Sequence, residues 1–349
     1  MENVEFNNES KSFVVQNSEL SFNLPFMQQY RDDFSAINLG NFDLFILQNP
    51  IYNNEADCFE VYIESQERTG FIFPIAILDS EDEYDNTLSK YIFTASLKLL
   101  KMIDFNFENV PNNFCQLFPN NSDNICLLIL SHFDKDLFNF DELRLSFLMY
   151  GYDVYDGKII NHYENSNTIR EISDLLINSK KRLKIKKTDF NLYKNTIVNT
   201  LITNYLSRTI IPVQRFLFVY QILEYYMREI ENSRLTEIIS MAQQPSPDIN
   251  QLINKIQNIR KEKDQLNQIY NPNKPSDSYN RLRDVFFDLY ENIFSENNRD
   301  EIHCIYNIRN KLFHSYWHIL DNNITNFDKL LLLAEKLILG MLIQKYKIT

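Results

Sequence analysis

The hydrophobic pattern of this chain changes period once, near residue 165, and that change limits the folds open to it. Before it, short apolar runs bounded by turn residues read as strands: SFVVQ (12–16), FDLFILQ (42–48), CFEVYIE (58–64), FIFPIAIL (71–78) and ICLLILS (125–131). CFEVYIE alternates, as a half-exposed strand does; FDLFILQ and ICLLILS are more continuously apolar and suit buried strands. The acidic loop SEDEYD (80–85) precedes a helical pattern around 87–103, with Leu88, Ile92, Ala95, Leu99 and Ile103 on one face. VYDGKII (154–160) reads as a small hairpin turning at Asp156-Gly157. Beyond this point almost every segment has helical period. TIRE (168–171) matches a capping box, and its helix is expected to run into KKRLKIKK (180–187). Further helices are expected over 189–209, 212–232, 247–269, 277–296, 300–320 and 325–346. Pro212 suits a first turn, and NPNKPSDS (271–278) makes a break. The expected architecture is α+β overall: an α/β domain over 1–165, a basic linker helix over 166–189 and an all-α bundle over 190–349.

Charge follows the same division. Residues 1–165 hold 9 Lys and Arg against 27 Asp and Glu; residues 166–349 hold 26 against 20, which accounts for the net −12. Such asymmetry suggests two domains with different partners. Only five glycines occur in 349 residues. P-loop, GxGxxG and GxSxG motifs, which need glycine where backbone meets phosphate or turns sharply, are absent, and so is HExxH. Four cysteines, at 58, 115, 126 and 304, show no paired metal spacing and make no disulfide framework. The first twenty residues are too polar for a signal peptide. LLLLAEKLILGMLI (330–343) carries Glu335 and Lys336 and reads as a buried helix, too short and too charged to span a bilayer. A cytoplasmic protein without membrane contact is expected.

The chemistry concentrates in IRNKLFHSYWH (308–318). On a helix of about 100° per residue, Ile305, Ile308, Leu312, Tyr316 and Ile319 share an apolar stripe. His303, Asn307, Asn310, His314 and His318 fall opposite. Arg309 lies at the edge of the stripe, roughly 140° from His314. A histidine exchanges protons near neutral pH, and an arginine offers a fixed fork of donors to a phosphate. Together they suit metal-independent RNA cleavage: the ribose 2′-OH attacks phosphorus, histidine moves the proton, and arginine stabilises the phosphorane.

Arg309-Asn310-x3-His314, late in an all-α domain, resembles the R-[polar]-x3–5-H signature of the HEPN superfamily, which includes endoribonucleases of toxin–antitoxin, abortive-infection and CRISPR-associated systems. RFLFVYQILEYYM (215–227) resembles an earlier bundle helix of that group, with Glu224 at a recurrent acidic position. The resemblance covers about 190–349. It implies an RNA-cutting toxin or antiviral-defence protein, with Arg309 and His314 catalytic, Asn310 orienting, Glu224 supporting, and a site shared across a homodimer. It also implies two alternatives. One is a non-catalytic dimerisation or binding module. The other is a toxin subunit controlled by a partner that adenylylates Tyr316, since Arg309 to Tyr316 spells R-x4-H-x-Y. A trigger or protein partner would act on the acidic domain. No metal or cofactor is invoked.

Weaker signals stand beside blander readings. Lys180, Lys181, Arg182, Lys184, Lys186 and Lys187 could contact an RNA backbone, or form a solvated helix end. His314 and His318 have the spacing of two metal ligands, which do not make a site. Asp141 with Asp156-x-Lys158 could belong to a metal-dependent nuclease, but Asp-Gly-Lys is also a tight hairpin. His132 ends a strand without an identifiable partner.

Overall fold

The computed structural model describes residues 4–16, 20–29, 37–49, 57–64, 67–103, 111–132, 137–157, 166–177, 181–189, 191–259, 265–266, 269, 277–314 and 316–345, without the side chains of 28, 29, 166, 167, 169, 191, 192, 258, 259, 277, 278 and 316–324. The chain divides into two units. One comprises Met1–Phe147, Gly151–Ser166 and Ile177–Lys186; the other comprises Leu148–Tyr150, Asn167–Leu176 and Lys187–Thr349. Among the described residues no helix is long and apolar enough to cross a membrane.

In the first unit, β1 (Val4–Asn7), β2 (Ser12–Val15) and β3 (Ser21–Asn23) form an antiparallel sheet. A second sheet has six strands: β4 (Phe42–Gln48), β5 (Phe59–Ile63), β6 (Gly70–Pro74), β7 (Ile125–Ser131), β8 (Asp153–Val154) and β9 (Arg182–Ile185), in the order β8-β4-β7-β6-β5-β9. β7 lies between β4 and β6 and every one of its residues is buried, which explains its unbroken apolar run. β6 stops at Pro74, which has no N–H to give a ladder, and a 3-10 turn over Ile75–Asp79 follows. Helix α1 (Asn86–Met102) begins where Asp85 accepts hydrogen bonds from the Thr87 and Leu88 amides at 2.8 and 2.9 Å. Its Leu88, Ile92, Ala95 and Leu99 join Phe42, Leu44, Leu127 and Ile129 in one core, and helix α2 (Phe140–Met149) follows β7 in the chain.

Two expectations are corrected here. Every described pairing in the large sheet is antiparallel except β5 with β9, so the unit is α+β and not α/β. The short connection at 64–69 sends β6 straight back beside β5, where a parallel layout needs a crossover. The basic linker helix over 166–189 is also replaced. A helix, α3 (Ser166–Leu176), ends before the basic run, and β9 lies inside it, paired parallel to β5 from Glu60↔Arg182 to Ile63↔Ile185. Leu183 and Ile185 are buried while Arg182 and Lys184 alternate with them, a period of two that overrides the run of charge. α3 starts at Ser166, so Thr168 sits inside its first turn and does not cap it. Of the hairpin at 154–160, Gly157 has the expected left-handed backbone (φ 81°), and residues 158–160 lie outside the described residues.

The second unit is helical. Short helices α4 (Asn191–Lys194) and α5 (Thr196–Thr200) run into a π-helical turn over Leu201–Leu206. α6 (Pro212–Ala242) opens with Pro212 in its first turn, where a missing N–H costs nothing. α7 (Ile249–Ile259), α8 (Asp277–Phe294), α9 (Glu301–His314) and α10 (Tyr316–Lys345) follow. The expected helix 300–320 therefore ends at His314, and Tyr316 opens the next one. The core combines Phe216, Tyr220 and Leu223 of α6, Phe286 and Tyr290 of α8, Ile305 and Ile308 of α9, and Leu330 to Ile343 of α10. Gly340 allows α10 to meet α8, since a Cβ there would stand 2.4 Å from the Tyr279 ring.

α10 also carries charge through this core. Glu335 is fully buried and takes two bonds of 2.7 Å from Arg215 Nε and Nη2. Arg215 Nη1 donates to the carbonyls of Leu206 and Thr209, at 2.7 and 3.0 Å. Lys336 Nζ donates to the Leu148 carbonyl at 2.8 Å and to Glu335 at 3.2 Å. Burial alone would raise the Glu335 pKa, but the Arg215 and Lys336 charges and their hydrogen bonds outweigh it and bring it to about 2. Burial lowers the Lys336 pKa, and Glu335 offsets only part of that. The bidentate geometry makes Arg215 the main counter-ion and Lys336 the lesser one.

Candidate functional site

α9 is built to present one polar edge. Asp300 accepts from the His303 amide at 3.2 Å and starts the helix. Ile302, Cys304, Ile305 and Ile308 are buried, and Glu301, also buried, accepts the Tyr279 hydroxyl. Asn307 does not point away from its own chain, as the wheel suggested. Its Nδ2 donates to Glu296 at 2.9 Å and to the Tyr290 hydroxyl, which itself donates to Glu296 at 2.9 Å. Burial, with Glu296 adding, pushes the Tyr290 phenol well above its ordinary range. Tyr290 and Asn307 thus fasten α9 to α8.

Arg309, which the wheel leaves at the edge, turns toward α6. Its Nη2 donates to Glu224 Oε1 at 3.3 Å and its Nη1 to Asn310 Oδ1 at 3.1 Å. The guanidinium lies 4.9 Å from the centroid of the Phe313 ring and 5.9 Å from that of Tyr220. Both members of the ion pair keep partial access to water, at 28% and 34%. Arg309 Nε is buried without a hydrogen-bond partner. The structure therefore brings Arg309, Asn310 and Glu224 together. His314 is exposed on the last turn of α9, and among the described residues it makes no hydrogen bond or ion pair. The side chains of Tyr316 and His318 lie outside the described residues, and both belong to α10.

The basic run is divided. Lys180 lies outside the described residues. Lys181 is exposed, with a left-handed backbone (φ 51°). Arg182 Nε donates to Glu60 at 2.9 Å and its guanidinium lies 5.2 Å from the Tyr62 ring. Arg68 Nη1 donates to the same carboxylate at 2.8 Å. Burial would raise the Glu60 pKa; hydrogen bonds from Tyr62, Arg68 and Arg182 outweigh it and lower the value. Arg182 is thus held by a carboxylate. Lys184 is exposed, Lys186 is tied through its backbone to Ser146, and Lys187 falls in the second unit.

Other flagged residues have local partners. Asp141 pairs with Arg144 at 3.3 Å, one helical turn away, and Lys158 lies outside the described residues. His132 does have a neighbour: its buried Nε2 stands 3.9 Å from Asp43, beyond hydrogen-bond reach. Among the described residues no three metal-ligating side chains gather. The Arg215–Glu335 pair is the functional-looking feature missed in the sequence. Its signal was a glutamate amid LLLLAEKLILGMLI, since a buried carboxylate needs a buried cation. Compared with protein-family models, curated proteins and solved structures, the chain gives no match.

Proposed function

We propose that this chain is a metal-independent endoribonuclease of the HEPN type, acting in bacterial toxicity or antiviral defence. The observation that carries the reading is Arg309. It is held at a partly exposed edge by one bond each to Glu224 and Asn310, and exposed His314 follows on the same helix. That fork suits a phosphate oxygen on which charge develops. In the proposed reaction the ribose 2′-oxygen bonds to phosphorus and the bond to the 5′-oxygen breaks. His314 takes the 2′ proton or returns one to the leaving oxygen, leaving a cyclic phosphate and a 5′-hydroxyl. A homodimer is part of the proposal: a second copy would place its own His314 beside Arg309. Lys181, Lys184, Lys186 and Lys187 would add phosphate-binding charge.

The test is cleavage of RNA by purified protein. His314→Ala should lower the rate about 10²–10⁴-fold, and Arg309→Ala about 10²–10³-fold. Cleavage by both at the wild-type rate would overturn the reading and leave the helical unit as a non-catalytic binding module.

A further inference from the structure

Phe313 is 61% exposed, an unusual position for a ring of its size on a helix otherwise anchored by buried apolar residues. It is not isolated. The Arg309 guanidinium lies 4.9 Å from its centroid and, further in, 5.9 Å from that of Tyr220, which is buried. Arg309 thus lies over two rings, one buried in the core and one open to water. Helical spacing places Phe313 one turn beyond Arg309 and directly before His314. The polar rim is set as well. Asn310 spends its side-chain oxygen on Arg309, so its amide donors are left to read an acceptor.

We infer that Phe313 is the stacking platform for an unpaired nucleobase of the substrate, next to the bond to be cut. This rests on the RNA-cutting reading for the identity of the ligand, but concerns a residue that takes no part in the proton transfers. A flat apolar ring backed by a cation offers its outer face to any base, so the platform selects single-stranded RNA without demanding a sequence. Duplex RNA keeps its bases stacked on one another and cannot use it. Phe313 is a specificity-determining residue in this account, and Arg309 serves twice, as phosphate ligand and as the layer beneath the ring.

The experiment uses the full chain and a 2′-O-methyl RNA oligonucleotide, which cannot undergo 2′-OH attack, so binding is read apart from cleavage. Phe313→Ala should weaken binding of the single strand about tenfold, the size of one base–aromatic stack. Phe313→Trp should restore it, and duplex binding should change little. Solution mass is measured on each variant. Equal single-strand affinity for wild type and Phe313→Ala overturns the inference, as does absence of single-strand binding. A change of oligomeric state with Phe313→Ala overturns it too, by making the ring a contact between copies. Failure of the nuclease reading is distinguishable, because it appears as unchanged cleavage in His314→Ala whatever Phe313 does.

Discussion

α6 takes part in two Arg–Glu pairs that share chemistry and differ in nearly everything else. Its Arg215 meets Glu335 through two bonds of 2.7 Å in a fully buried setting, with the remaining donors of the guanidinium on the Leu206 and Thr209 carbonyls. About two and a half turns further on, its Glu224 meets Arg309 through one bond of 3.3 Å at a partly exposed edge, and the buried Arg309 Nε has no partner. A guanidinium that has used its whole fork is part of the framework. One that has spare donors and an accessible face can still take a ligand. Identity and pairing do not separate the two; saturation and access to water do.

The largest expected effect comes from breaking the buried pair. Arg215→Ala should destabilise the protein by about 3–5 kcal/mol, because Glu335 would lose its main counter-ion in the core and keep only the longer bond from Lys336. Denaturant unfolding measures it. Replacing the whole charged group by apolar residues of similar volume, Arg215→Met with Glu335→Leu and Lys336→Met, should recover most of that loss, since no buried charge is then left without its partner. If the triple variant is as unstable as the single, the group does more than neutralise itself and the comparison is drawn wrongly.

Acid titration follows in size. Glu335 has its pKa held down to about 2, so the folded state binds the proton less readily than the unfolded chain does. Its contribution to stability is complete above the ordinary carboxylate range near 4.5, falls as the pH drops, and is gone below about 2. Unfolding curves between these limits should show this acid limb in the wild type and a shallower one in the Arg215→Met/Glu335→Leu/Lys336→Met variant. Parallel curves would mean that other carboxylates dominate.

These contrasts also show what could be read from sequence. The strands of FDLFILQ and ICLLILS were legible to the residue; ICLLILS is buried on both faces and so is continuously apolar, while FDLFILQ keeps Asp43, Phe45 and Ile46 only partly buried. KKRLKIKK was misread because its charge drew attention from its period, and the Glu60 carboxylate that receives Arg182 is 122 residues away. The family resemblance alone suggests that Glu224 supports Arg309 or His314; the Glu224–Arg309 contact spans 85 residues and no local pattern announces it. The end of α9 at His314 was hidden as well, since the apolar spacing continues through Leu312 and Tyr316 as if one helix did.

The smallest expected effect on stability is the most informative about the site. Glu224→Ala removes a pair that is one bond long, 3.3 Å apart and about a third exposed on each side. Discounted for solvent screening, such a pair is worth at most about 1 kcal/mol. The folded protein should therefore tolerate the change, and thermal unfolding should barely move. Arg309 would lose the partner that fixes its direction while keeping Asn310, Phe313 and Tyr220 around it. If Arg309 is the phosphate ligand, RNA cleavage should fall by more than stability does, and Glu224→Gln, which can still accept a hydrogen bond, should recover part of it. If instead Glu224→Ala costs several kcal/mol and leaves cleavage unchanged, this pair is framework like the other, and the site must be sought away from α9.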